Sequence, residues 1–331
     1  MLFPAESLVE RHVGTGEYRG LEFLQVNAKR VINEVPKASR MPFRYTINAY
    51  RGCSHACAYC FARPTHEYLG FNIGEDFERK IVVKVNAVER TRAELRSPGW
   101  HGEHIAMGTN TDPYQKAEGK YHLTRGIIQV LAKAANPFSI LTKSTLMLRD
   151  LDVLTEAAAR TSVQVNFSIG TLDRDVWRLT EPGTPPPEKR VEAVRRFSEA
   201  GISCGVLVAP ILPGLSDHPE QIRAVVEASA EAGASSISAV PLHLRPGVRE
   251  HYLDWLGRAR PDLLALHEER FGRGSYQPKA VQEDISAVVA EVLARRQPLA
   301  PTPYRRRTAP APSPTTEEPE ESGNAQLTFD L

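Results

Sequence analysis

Three cysteines crowd one short segment, Cys53-Ser-His-Ala-Cys57-Ala-Tyr-Cys60. Cys204 is the only other cysteine in 331 residues. A Cys-x3-Cys-x2-Cys spacing presents three thiolates from one loop to a metal centre and omits a fourth protein ligand. Iron–sulfur clusters ordinarily take four cysteines. A [4Fe–4S] cluster held by three leaves one iron open to a small molecule. A structural zinc site also needs a fourth ligand, and His55 and His66 lie nearby. On the residues alone, iron–sulfur and zinc both stay open. Three crowded cysteines and one distant one do not read as a secreted disulfide framework.

The remaining chain must position that loop. Its length suits one large α/β domain with appendages, or two small domains. Lys and Arg number 41 against 40 Asp and Glu, a net charge of +1. That balance gives no global pull toward nucleic acid, although a local basic groove is compatible with it. The first residues lack the charged and apolar regions of a signal peptide. The apolar run from Cys204 to Leu215 is broken by Pro210 and Pro213, too short to span a membrane. These features predict a cytoplasmic protein with no membrane partner.

Short apolar, β-branched runs recur at Tyr45–Ala49, Ile81–Val85, His104–Met107, Ser139–Thr142, Val163–Ile169, Cys204–Ile211 and Ser236–Val240. Helical patterns separate most of them. In one, Asp217 reads as N-cap and Glu220 completes a capping box. Ile222, Val225 and Val226 form its apolar stripe, and Gly233 ends it. Strands alternating with helices predict a parallel sheet; pattern alone does not separate an open sheet from a barrel. Gly14-Thr-Gly16-Glu-Tyr-Arg-Gly20 follows no strand pattern, has the wrong spacing for dinucleotide binding, and reads as a flexible loop. Residues 1–40 read as an N-terminal extension with an amphipathic piece from Leu21 to Ile32. Residues 296–331 are Pro-rich and then acidic, a composition that predicts a disordered tail.

In parallel α/β folds, function gathers on the loops after the strands' carboxyl ends. The cysteine loop follows the first run. Gly108-Thr109-Asn110-Thr111-Asp112 follows another. There a glycine lets backbone approach a ligand, and the neighbouring side chains offer donors and acceptors. Lys143-Ser144 follows a third run. Asn166 and Ser168 alternate to one face of the next strand. Glu181 and Arg190 flank a Pro-rich turn, where they could serve as ligands or as a structural ion pair. His243 and Arg245 follow the last run.

The cysteine loop, with Tyr59 before its third cysteine, resembles that of the radical S-adenosylmethionine (SAM) superfamily. Thr109-Asn-Thr-Asp-Pro-Tyr-Gln115 and the Glu181-Pro…Arg190 segment resemble the branch that includes spore photoproduct lyase. The resemblance covers residues from about 40 to 270. It implies a partial (β/α)6 TIM-type barrel over residues 41–295, with Ile81–Val85 as an extra or edge strand. It implies a [4Fe–4S] cluster on Cys53, Cys57 and Cys60, with SAM chelating the open iron. A reductant such as flavodoxin or ferredoxin would supply one electron. SAM would then yield a 5′-deoxyadenosyl radical that takes hydrogen from a substrate not readable here, with nucleic acid as a candidate.

On this resemblance the cofactor contacts are Tyr59, Gly108, Thr109, Asn110, Thr111, Asp112, Lys143, Ser144, Asn166 and Ser168. Asp112 would accept from the SAM ammonium and Lys143 would pair with its carboxylate. Spore photoproduct lyase uses a cysteine donor in the loop after the second strand, and residues 108–112 contain none. Its own activity is therefore not expected. Tyr114, Glu181, Arg190 and Arg245 are the catalytic candidates. Residues 326–331 begin with Gln326-Leu327-Thr328-Phe329, which resembles a bacterial sliding-clamp-binding motif. The competing readings are a zinc-binding nucleic-acid module and a non-catalytic protein of the same fold.

Overall fold

The computed structural model describes residues 8–36, 39 and 41–295. The predicted tail and its clamp-like segment lie outside the described residues. Eleven strands form two sheets among these residues: β1 (Leu8–Val13), β2 (Glu22–Val26), β3 (Ile32–Glu34), β4 (Tyr45–Ile47), β5 (Tyr50–Arg51), β6 (Lys80–Lys84), β7 (Ile105–Met107), β8 (Phe138–Thr142), β9 (Val163–Ser168), β10 (Cys204–Ile211) and β11 (Ser236–Pro241). The larger sheet has the order β11-β10-β9-β8-β7-β4-β3. Its six strands from β4 to β11 pair in parallel, and β3 closes one edge antiparallel to β4. This is the expected partial barrel of six parallel strands.

The sequence alternates along these strands because their two faces meet different surroundings. On β9, Val163, Val165 and Phe167 are buried. Phe167 meets Phe197 of the helix Pro187–Glu199, with ring centres 5.9 Å apart. Asn166 and Ser168 alternate with them and reach neighbouring strands through Ile140 O and Ala209 O. The outer face therefore buries hydrocarbon against helices, while the inner face keeps hydrogen-bonding groups.

The Ile81–Val85 run becomes β6, an extra strand outside the barrel sheet. It lies between β2 and β5 in a second sheet ordered β1-β2-β6-β5. The described part of the N-terminal region thus contributes strands to both sheets. The Gly14 to Gly20 segment, expected to follow no strand, does follow one, β1. It is the β1–β2 hairpin connection, tied by Gly14 N–H to Leu21 O at 2.8 Å and holding a 3-10 turn.

The Pro219–Glu231 helix begins one residue later than its pattern suggested. His218 is its N-cap, whereas Asp217 accepts from Gly214 N at 2.8 Å. Proline at the first helical position fixes φ and favours that start. The predicted stripe of Ile222, Val225 and Val226 is buried, and Gly233 follows at φ +83°.

A buried polar network ties the second sheet to the segments that follow β7 and β8. Glu118 is fully buried and accepts from Tyr50 Oη at 2.5 Å, Thr124 N at 2.9 Å and Arg149 Nη2 at 2.9 Å. Arg149 and Arg125 also pair with buried Asp150, to which Tyr114 donates at 3.1 Å. Removing one member leaves buried charge and donors unpaired. Glu118→Ala should lower stability by about 3 kcal/mol in urea unfolding, with Glu118→Gln closer to wild type. A loss below about 1 kcal/mol for the alanine variant would contradict this account.

Candidate metal and cofactor centre

The thiol loop leaves the first parallel strand by way of β5. Cys53 N–H donates to Phe77 O at 2.8 Å, which anchors the loop's start. Ala56 then takes a left-handed φ of 54°, and its N–H donates to Cys53 O at 3.3 Å. Cys60 N–H closes the next turn on Cys57 O at 3.3 Å. Cys53 and Cys57 are buried and Cys60 is partly exposed.

The 180–184 segment clamps this loop from outside. Ala58 N–H donates to Thr180 O and Gly183 N–H to His55 O, each at 3.0 Å. A side chain at position 183 would meet Ser54 O at 2.2 Å, so only glycine permits the approach.

Burial pushes all three thiols above their ordinary acidity range. A metal centre reverses that preference, because coordination deprotonates a thiol outright. Among the described residues, no three His, Cys, Asp or Glu side chains converge closely enough to hold one metal ion. A cluster binds its ligands at separate corners and does not need that convergence. Both histidines of the zinc reading have other partners. His55 Nδ1 lies 3.3 Å from Asp112 Oδ2, and His66 Nε2 lies 3.0 Å from Lys80 O. The donor set, three thiols on one loop, fits an iron–sulfur cluster.

The loop after β7 lies across the thiol loop. Gly108 has φ +87°, and a Cβ there would stand 2.0 Å from Leu141 O. Asn48 bridges Thr109 Oγ1 at 3.2 Å and Asn110 N at 3.1 Å. Thr111 Oγ1 donates to Gly52 O at 2.6 Å. Asp112 accepts from Thr142 Oγ1, Lys143 N and Tyr114 N at 2.6, 2.7 and 2.8 Å, and also faces His55. Burial pushes its carboxyl up, but His55 and these bonds hold it below the ordinary value. Its acceptor capacity is thus used within the chain.

A second charged group fills the interior. Lys143 Nζ lies 2.6 Å from Ser168 Oγ, 3.2 Å from Ala209 O and 3.2 Å from Glu181 Oε1. Tyr59 Oη donates to the same Glu181 oxygen, and Arg190 Nη2 reaches Oε2 at 2.5 Å. Burial pushes the Glu181 carboxyl up, but Arg190 and Lys143 outweigh it and hold it at about 2. Glu181 and Arg190 form the structural pair that the sequence allowed.

Other predicted residues have different surroundings. Ser144 Oγ accepts from Leu146 N at 3.2 Å and caps the next turn. Tyr114 is buried with its hydroxyl on Asp150. Arg245 is exposed beyond β11, and Cys204 is buried at that sheet's other end, where β10 begins.

The sequence reading assigned no role to Gln115, Arg63 or Phe61. Buried Gln115 holds Ser54 N, Gly52 O and Thr111 Oγ1 within 3.0 Å. Arg63 donates to Cys57 O. For Arg63 the signal was its closeness in sequence to Cys60; for Gln115 it was its place at the end of the Thr109–Gln115 string. Phe61, 50% exposed beside Cys60, lies 6.3 Å from the His243 ring, which stacks at 5.8 Å on Tyr276, 60% exposed.

The Radical SAM superfamily model matches residues 47–226. An uncharacterised protein of Mycobacterium tuberculosis is 46% identical over 285 residues, covering 86% of this chain and 84% of that protein. A radical SAM Nα-GlyT isomerase of Pseudomonas phage M6 is 24% identical over 56% of this chain, but only 36% of that protein is covered. Spore photoproduct lyase, solved with a dinucleoside spore photoproduct, superposes with a TM-score of 0.64 at 18% identity. That match covers 85% of this chain and 82% of the lyase, and it shows a shared fold. The three-thiol loop, the parallel half-barrel beneath it and the family match lead to one conclusion: this chain belongs to the radical SAM superfamily of enzymes.

Proposed function

We propose that this enzyme holds one [4Fe–4S] cluster on Cys53, Cys57 and Cys60, binds SAM at the iron left open, and acts on nucleic acid. The observation that carries the reading is the three-thiol loop beyond the first parallel strand, with Cys53 and Cys57 buried and Cys60 partly exposed. When bound, cluster and SAM together supply a 5′-deoxyadenosyl radical able to abstract hydrogen.

The chain's own residues bind and orient. Lys143, whose ammonium rests on Ser168, Ala209 O and Glu181, would pair with the SAM carboxylate by exchanging one of these partners. Thr109 and Asn110, partly exposed on the rim, meet the amino end, and Asp112 fixes the loop that carries them. Asn166 and Ser168 keep the interior polar below them. Buried Tyr59 ties the thiol loop to Glu181, so cluster and SAM contacts share one support.

The aromatic ledge supports the substrate class. Phe61 and Tyr276 leave ring faces open to solvent beside the thiol loop, and His243 bridges them. Arg245 follows two residues later and makes no ion pair among the described residues. Exposed ring faces beside a cation suit an unstacked base and its phosphate. The fold neighbour solved with a dinucleoside photoproduct is compatible with that reading. Photoproduct lyase activity itself is not proposed, because residues 108–112 carry no cysteine.

Anaerobically reconstituted protein should carry roughly four irons per chain, the content of a [4Fe–4S] cluster. Cys53→Ala, Cys57→Ala or Cys60→Ala should each abolish the cluster, whereas Cys204→Ala should retain it. The dithionite-reduced wild type should form 5′-deoxyadenosine from SAM, measured by chromatography. Stoichiometric zinc without iron would overturn the reading.

A fluorescent single-stranded oligonucleotide tests the substrate class. Combining Phe61→Ala with Tyr276→Ala should weaken its binding about tenfold at fixed salt, the scale of stacking on aromatic side chains. Binding unchanged by both substitutions would remove the ledge from the nucleic-acid surface.

A further inference from the structure

Arg63 lies against the thiol loop, 1% exposed, with the Phe77 ring centre 5.3 Å from its guanidinium carbon. Nε and Nη2 donate to the Cys57 carbonyl at 3.2 and 2.9 Å. Nη1 donates to Ile73 O at 2.9 Å and Gly74 O at 3.2 Å. Nη2 also donates to Glu78 Oε1 at 2.6 Å. These contacts use the full donor fork. Among the described residues, Glu78 is the one carboxylate paired with it, and that side chain is 30% exposed.

An arginine stays charged inside a protein, and a charge in low dielectric acts strongly on its neighbours. The Arg63 backbone N–H also donates to Cys60 O at 3.3 Å, so Arg63 bears on the loop at both Cys57 and Cys60. The arrangement is a fixed cation under the loop, partly offset by a carboxylate on its solvent side.

We infer that Arg63 is a positioning residue that also sets the reduction potential of the proposed cluster, and that Glu78 limits how much of its charge the cluster experiences. The inference rests on the cluster reading above. Reduction adds one electron from an external donor and makes the cluster more negative. A nearby cation stabilises that added charge and raises the potential; a carboxylate on the cation opposes it. Net charge and hydrogen bonding around a cluster are among the factors that set its potential.

Anaerobic redox titration followed by electron paramagnetic resonance, with iron counted in parallel, tests the inference. Arg63→Gln should lower the midpoint potential. Glu78→Gln should raise it, and Arg63→Lys should lie nearer wild type than Arg63→Gln. A residue that only braces the loop would cost iron without shifting the two glutamine variants in opposite directions. Potentials that stay unchanged, or move the same way, overturn the inference. Should Arg63→Gln fail to fold, Glu78→Gln decides alone, since an unchanged or lowered potential there also overturns it. A wild-type protein that binds no iron would instead overturn the cluster reading.

Discussion

A buried carboxylate must be surrounded by donors, and the mouth of this half-barrel is organised around two that meet that demand. Asp112 gathers Thr142, Lys143, Tyr114 and His55 from the loop after β7, the end of β8 and the thiol loop. Glu181 gathers Tyr59, Lys143 and Arg190 from the other side. Removing either carboxylate would leave donors facing one another in low dielectric, where unpaired polar groups are costly. Lys143 is joined to both, its backbone to Asp112 and its ammonium to Glu181. The thiol loop is held from two sides by the same lysine-centred arrangement.

That arrangement gives the thiol loop its supports. Loops bearing function are ordinarily mobile unless a scaffold fixes them. Here the loop's backbone groups reach Phe77, Thr180 and Gly183, while Gln115 spans its first residues. The second sheet supplies Tyr50, whose hydroxyl ends in the Glu118 network below. The site is therefore supported by both sheets rather than perched on one strand. Preorganisation of this kind matters for an enzyme whose cofactor needs a fixed geometry and little water.

Much of this was legible in sequence because its signals are periodic or compositional. The six parallel strands announced themselves as apolar runs, and the Ile222, Val225 and Val226 stripe marked a helix correctly. The cysteine spacing marked the loop that the structure places beyond the first parallel strand, with Cys53 and Cys57 buried. The exact cap of that helix was not legible, because Pro219 shifts the start by one residue and makes His218 the cap. The second sheet was also hidden, since the antiparallel β5–β6 pairing and β2 join distant segments without a local pattern. Polar residue types at the rim were legible in sequence, but their partners were not. Asp112 looked free to meet a ligand, yet three of its four contacts, Thr142, Lys143 and His55, come from segments distant in sequence. Arg63 gave no signal beyond its closeness to Cys60, because the Cys57 carbonyl it meets is presented only by the turn geometry.

The central claim is that three thiols leave one iron open and that SAM occupies it. Electron paramagnetic resonance of the anaerobically reduced protein, recorded with and without SAM, tests that claim most directly. Direct ligation predicts a changed cluster spectrum on addition of SAM, with the change absent for S-adenosylhomocysteine at concentrations where it does not bind. A reduced cluster whose spectrum is the same with saturating SAM would contradict the account.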